Sequence, residues 1–143
     1  MNDLASAILA LDDTVYEQVS IPEWVLNNSP VVLTVRSITA DETDEVEHFG
    51  MVKVKTRRNG RIVEKYEHRK KNLRAKLVSL SVCKAPGDKT PVFSEQDVIK
   101  LGKKNAAAID RIIEVIKRIS RIDSETLDEE LGKGEADGTT NSG

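Results

Sequence analysis

Apolar and polar positions alternate in two registers along this chain, and the register changes mark the elements. Leu4, Ile8 and Leu11 fall on one helical stripe behind Asp3, a suitable N-cap, so residues 3–11 read as a short helix. Val15, Glu17, Val19 and Ile21 then alternate with Tyr16, Gln18 and Ser20, the period of a strand, which Pro22 is expected to stop. Asn27-Asn28-Ser29-Pro30 is a turn cluster. The run Val31-Val32-Leu33-Thr34-Val35-Arg36-Ser37-Ile38 reads as a second strand, giving an antiparallel hairpin.

Thr39 with Glu42 three residues on is a capping box, and acids fill the first turn of the helix it opens, which brings Val46 and Phe49, and beyond them Met51 and Val52, inward. Beyond it, Asn59-Gly60 admits two readings. It either ends the helix in a loop or turns a hairpin between 51–56 and 61–66, and the pattern alone does not choose. Helical spacing returns with Leu73, Leu77 and Leu80. Ala85 to Pro91 reads as an exposed loop, and Ser94 with Asp97 opens a short helix that ends at Gly102. Asn105 caps the strongest helix, Ala106 to Ile122, where Ile109, Ile112, Ile113, Ile116 and Ile119 form the apolar stripe and Val115 and Ile122 lie off it. A further short helix from Ser124 ends by Leu131. The last twelve residues, 132–143, lack large apolar side chains and read as a disordered tail.

These segments predict one domain over residues 1–131 of α+β class: a mostly α-helical cluster with a small N-terminal antiparallel β-hairpin. Composition supports that weighting, because aromatics are only 3% of 143 residues and the core must come from Ile, Leu, Val and Ala. Charge changes the picture more. Net charge is −2, but residues 1–50 carry −9 while residues 53–76 carry +9. Opposed blocks of this size neutralise each other across a fold or between subunits, or mark an anionic partner.

Candidate chemistry is sparse. His48 and His68 lie in charged segments remote from Cys83, and no metal-ligand spacing, phosphate loop or nucleophile elbow occurs. Adjacent acids such as Asp12-Asp13 read as a solvated face rather than a catalytic pair. The expectation is a protein that is not an enzyme, with no catalytic residue, cofactor or metal. Cys83 reads as a buried thiol. The stretch from Lys53 to Lys76 is the one feature that suggests nucleic acid, but Tyr66 is its single aromatic and no base-reading element accompanies it. A nucleic-acid-binding module is therefore the second reading, without specific sequence recognition. No run is long enough to span a membrane.

Several landmarks in order resemble one family. Leu9-Ala10-Leu11-Asp12-Asp13 leads to Val19-Ser20-Ile21-Pro22-Glu23-Trp24, then Leu33-Thr34-Val35-Arg36 and Ile38-Thr39-Ala40-Asp41-Glu42. Asn72 to Val82 follows, then Val92-Phe93-Ser94-Glu95-Gln96-Asp97-Val98 and Leu101-Gly102-Lys103-Lys104-Asn105-Ala106. Over about residues 4–131 this resembles the tail assembly chaperones of tailed bacteriophages, although the dense Lys and Arg of 53–71 and the Ile-rich last helix depart from the pattern. Each landmark also has a plain structural reading as a strand end, a cap or a core plug.

The resemblance implies a morphogenetic factor that binds the tape measure protein in the host cytoplasm, keeps it soluble, and is absent from the mature virion. It implies the tail tube protein as a further partner, mainly through a longer form made by ribosomal frameshifting, with this chain the short form. Self-association is a further partner expectation, and a structural tail or connector subunit is a third reading of function. Leu131-Gly132-Lys133-Gly134 is compatible with a slippery codon run, the alternative being an ordinary linker. Candidate partner-binding residues are Trp24, Arg36, Leu101, Lys104, Val115 and Ile122.

Overall fold

The computed structural model describes residues 3–68 and 71–121. The short helix α1 (Leu4–Leu9) is capped by Asp3, whose carboxylate accepts from the Ser6 amide at 2.9 Å. Strands β1 (Tyr16–Leu26) and β2 (Ser29–Arg36) form the expected antiparallel hairpin. Asn27 and Asn28 make its two-residue turn with φ of 52° and 64°, the left-handed geometry that asparagine tolerates and a type I′ turn requires. Pro22 does not stop β1. The strand runs on to Leu26, and the ladder shifts register between Ile21 and Val25. β1 is the outer strand of its sheet, where a residue without an N–H removes no ladder bond.

Helix α2 (Ala40–Phe49) carries the full capping box: Thr39 Oγ1 accepts from the Glu42 amide at 3.1 Å, and Glu42 Oε1 accepts from the Thr39 amide at 2.9 Å. The Asn59-Gly60 pair turns a hairpin between β3 (Met51–Arg58) and β4 (Arg61–His68), paired with each other in a separate two-stranded sheet. Helix α3 (Leu73–Ser81) follows. Ala85 to Pro91, read as an exposed loop, instead holds the end of β5 (Val82–Ala85) and all of β6 (Asp88–Pro91), so the main sheet has the order β1-β2-β5-β6. A 3-10 turn (Glu95–Asp97), helix α4 (Val98–Leu101) and helix α5 (Ala106–Ser120) complete the described chain.

The expected mostly helical cluster with a small N-terminal hairpin is therefore corrected. Six strands in two antiparallel sheets share the structure with five helices. β5 and β6 are too short to show a strand pattern, and β3 and β4, one of the two readings left open, carry charges where apolar residues mark a buried face. Met51 and Val52 belong to β3.

One core joins the layers. α5 packs on β1, β2 and α3, and its fully buried Ile112, Ile113 and Ile116 meet Ile21, Val35, Leu73 and Leu77. Because α5 is covered by sheet on one side and α3 on another, its buried face is wider than the isoleucine stripe and takes in Val115, 5% exposed. Gly102 follows α4 with an ordinary right-handed φ of −63°. What holds a glycine there is close approach, since an added Cβ would stand 2.3 Å from Asn72 Oδ1.

The last helix expected from Ser124, the 132–143 tail and the Gly132-Lys133 junction lie outside the described residues.

Candidate partner-binding groove

The end of the first hairpin makes a groove that the rest of the fold does not fill. Trp24, Val25 and Leu26 close β1, Val31 and Leu33 stand on β2, and Phe93 and Leu101 face them from the segment after β6 and from α4. The cavity measures about 510 Å³. Its floor is the core, against which Trp24, Leu33 and Phe93 are half-buried, while Leu101 is buried. Its walls are open: Val25 is 57% exposed, Leu26 67% and Val92 46%. Contiguous exposed apolar side chains around a concavity are the physical mark of an interaction site, because water contact with them is unfavourable and a partner relieves it.

Two charges rim the groove. Glu23 is engaged, its carboxylate accepting twice from Arg111 Nε of α5, at 2.9 and 3.0 Å, which holds it below its ordinary range. Lys104 is exposed and has no acidic partner among the described residues. The groove can thus hold an apolar side-chain row and offers one free cation to an acidic neighbour.

Trp24, Leu101 and Lys104 from the expected set come together here. Arg36 and Val115 do not. Val115 is part of the core. Arg36, 8% exposed, donates from Nη1 to Glu42 Oε1 at 2.8 Å and to the Ser37 carbonyl at 3.0 Å, and from Nη2 to Glu42 Oε2. It thereby fastens the start of α2 to the end of β2. Burial opposes the Glu42 carboxylate, but hydrogen bonds from Arg36 and Thr39 outweigh it and hold the group below its ordinary range. The same pair raises Arg36 further. Ile122 lies outside the described residues.

Pattern reading missed Val25, Leu26 and Phe93. The first two fall between Pro22, the expected strand end, and the turn cluster that begins at Asn27, although two adjacent apolar residues before a turn are a signal in themselves. Also missed was a second cavity of about 530 Å³ that Phe93 shares and that Arg36, Glu42, Glu45 and Lys76 help to line. Lys76, its side chain 5% exposed on an apolar helix, pairs there with Glu45 at 2.7 Å and lies 5.6 Å from the centre of the Phe49 ring. Cys83 is buried, and loss of solvation pushes its thiol up. Among the described residues no three His, Cys, Asp or Glu side chains converge to hold a metal, and no helix is long and apolar enough to cross a membrane.

The β3–β4 hairpin is a basic ribbon. From Met51 to Glu67 every residue is at least partly exposed, and Lys53 and Lys55 share Glu64 at 2.7 and 3.9 Å. At the tip, Arg58 stands directly across from Arg61, a like-charge pair that the hairpin itself does not relieve.

Comparison with family models, with curated proteins and with solved structures gives no match for this chain.

Proposed function

We propose that this chain is a tail assembly chaperone of a tailed bacteriophage, binding the tape measure protein before assembly and keeping it soluble in the host cytoplasm. The observation that carries the reading is the groove that gathers Trp24, Leu101 and Lys104 beneath the exposed Val25 and Leu26. A very long amphipathic client has an apolar stripe without a partner until the tail is built. A chaperone for it needs apolar concavities ringed by charge, the helix-in-groove mode of recognition. The ordered landmarks of the sequence support the same family. On this reading the chain leaves before the virion is complete, and a longer frameshifted form brings the tail tube protein.

Co-expression tests it. The chain should raise the soluble yield of its phage's tape measure protein and co-purify with it, and Leu26→Asp together with Val25→Asp should abolish both while leaving the melting temperature unchanged. A client equally insoluble with and without the chain would refute the proposal.

The ribbon favours a second reading, sequence-independent nucleic-acid binding. An Arg58–Arg61 pair with no acid to separate it suits phosphates, and a two-stranded ribbon fits the major groove. Duplex binding that weakens steeply with salt and is lost in Arg57→Gln/Arg58→Gln/Arg61→Gln would support it. No binding at low salt would remove it.

A further inference from the structure

The first helix poses a problem that the chain does not solve within itself. Its apolar side chains are turned out, Leu4 75% exposed, Ile8 53% and Leu9 85%, as is Leu11 just beyond it at 69%, and no residue of α1 is buried. Leu4 and Ile8 stand four residues apart on one face of α1, the spacing by which a helix docks into an apolar groove. The concavity between Trp24 and Leu101 is lined by exposed apolar side chains of matching character, and no residue of α1 lines it.

Charge says what the occupant should carry. The segment from Asp3 to Asp13 holds Asp3, Asp12 and Asp13 and no basic residue. The groove's α4 side is followed by Lys100, Lys103 and Lys104, all exposed and none with an acidic partner among the described residues. Glu23, the one acid on the rim, is neutralised by Arg111 and so does not repel an acidic segment. Asp12 is paired with Lys89 of its own chain at 3.3 Å, so Asp13 is the acid that the apolar segment brings to a groove followed by lysines. The chain's own α1 starts from the wrong end of the hairpin. Val15 is bound to Ser37, its amide donating to Ser37 Oγ at 2.9 Å, and the length of β1, about 25–30 Å at strand rise, separates that point from Trp24.

We infer that α1 of one copy occupies the Trp24–Leu101 groove of a second copy, with Asp13 beside Lys103 and Lys104, so that the protein self-associates and covers the groove until another apolar helix displaces it. Such a contact is heterologous, one surface on each copy being different, so reciprocal exchange closes a dimer and one-way docking extends a chain. The inference rests on the groove used for the chaperone reading but not on the identity of its client, because the chain alone suffices to test it.

Trp24 is the single tryptophan, so its emission reports on the groove directly. Sedimentation of the full chain should give a species larger than the monomer that dissociates on dilution, with Trp24 emission moving to the red as it does. Leu4→Asp/Ile8→Asp should be monomeric with an unchanged melting temperature, since α1 contributes no buried residue. Trp24→Ala should likewise be monomeric, yet mixing it with Leu4→Asp/Ile8→Asp should restore a complex, one partner supplying the helix and the other the groove. Lys104→Glu should weaken association several-fold, and Asp13→Lys in the same chain should recover it. A wild-type monomer at every concentration would overturn the inference. So would association that survives Leu4→Asp/Ile8→Asp, or failure of the two variants to complement each other. A Trp24 emission independent of concentration but sensitive to Leu4→Asp/Ile8→Asp would place α1 in its own groove and overturn it equally.

Discussion

Glu42→Gln is expected to be among the most destabilising single changes outside the hydrophobic core, although it alters no atom count and spares the capping box. The amide can still accept from the Thr39 amide, as Glu42 Oε1 does at 2.9 Å. What changes is Arg36, whose guanidinium is 10% exposed and would keep its charge with the Ser37 carbonyl as its remaining close acceptor. Its Nε is already buried without a partner. Breaking a buried ion pair from one side costs about 3–5 kcal/mol. Glu42 is 18% exposed, so water reaches the edge of the pair and the expected cost falls to about 2–3 kcal/mol. For a chain of this size that is a drop in melting temperature of roughly 6–10 °C.

Urea unfolding followed by circular dichroism should show a lower midpoint with an unchanged slope. Arg36→Met/Glu42→Gln removes the stranded charge and should regain at least half of the loss, a coupling of about 1–2 kcal/mol in the double-mutant cycle. Thr39→Ala, which removes only the other half of the cap, should cost about 1 kcal/mol. Glu42→Gln within about 0.5 kcal/mol of wild type, or a double variant no more stable than the single, would refute the reasoning.

The same pair sets an acid limit. Glu42 is held below its ordinary 4.5, so its contribution is complete above that value and is lost as pH falls through the lower, folded value. Unfolding measured against pH should therefore show a loss below about 4.5 that is smaller in Glu42→Gln. Ile112→Ala, at a fully buried position where α5 crosses the core, should cost about 2–5 kcal/mol by thermal or chemical melts. Arg58→Glu converts the like-charge pair at the ribbon tip into an opposite one and should stabilise by a few tenths of a kcal/mol, an effect that shrinks as salt is added.

Local chemistry made much of this structure legible before any coordinates. Thr39 and Glu42 state their capping box in four residues, and Asn27-Asn28 declares its turn because few other pairs tolerate two positive φ values. Asn59-Gly60 was equally informative, but the flanking Lys and Arg masked the strand period that would have chosen the hairpin. β5 and β6 were illegible for a different reason. Four residues are too few to display alternation, and Pro86-Gly87 punctuates a hairpin and a loop alike. Pro22 misled because its cost in a strand depends on whether a neighbour lies alongside, which is a property of the sheet.

The groove was partly legible for the same reason. Trp24, Leu101 and Lys104 stood out singly, while the wall formed by Val25 and Leu26 depended on β1 running past Pro22. The burial of Arg36 depended on a carboxylate that only the turn from β2 into α2 brings within reach.

The β3–β4 ribbon closes on itself, Met51 pairing with His68 at its base and Arg58 with Arg61 at its tip, and none of its residues from Met51 to Glu67 is buried. Its substitutions are therefore judged by what the ribbon touches rather than by whether the chain folds. The isoleucines of α5 have no such latitude, since any change in their volume is felt through the whole core. The molecule thus separates an element free to drift, lengthen or change sign with its partner from a scaffold that must stay as it is. Substitutions should therefore be tolerated across 51–67 far more readily than along α5.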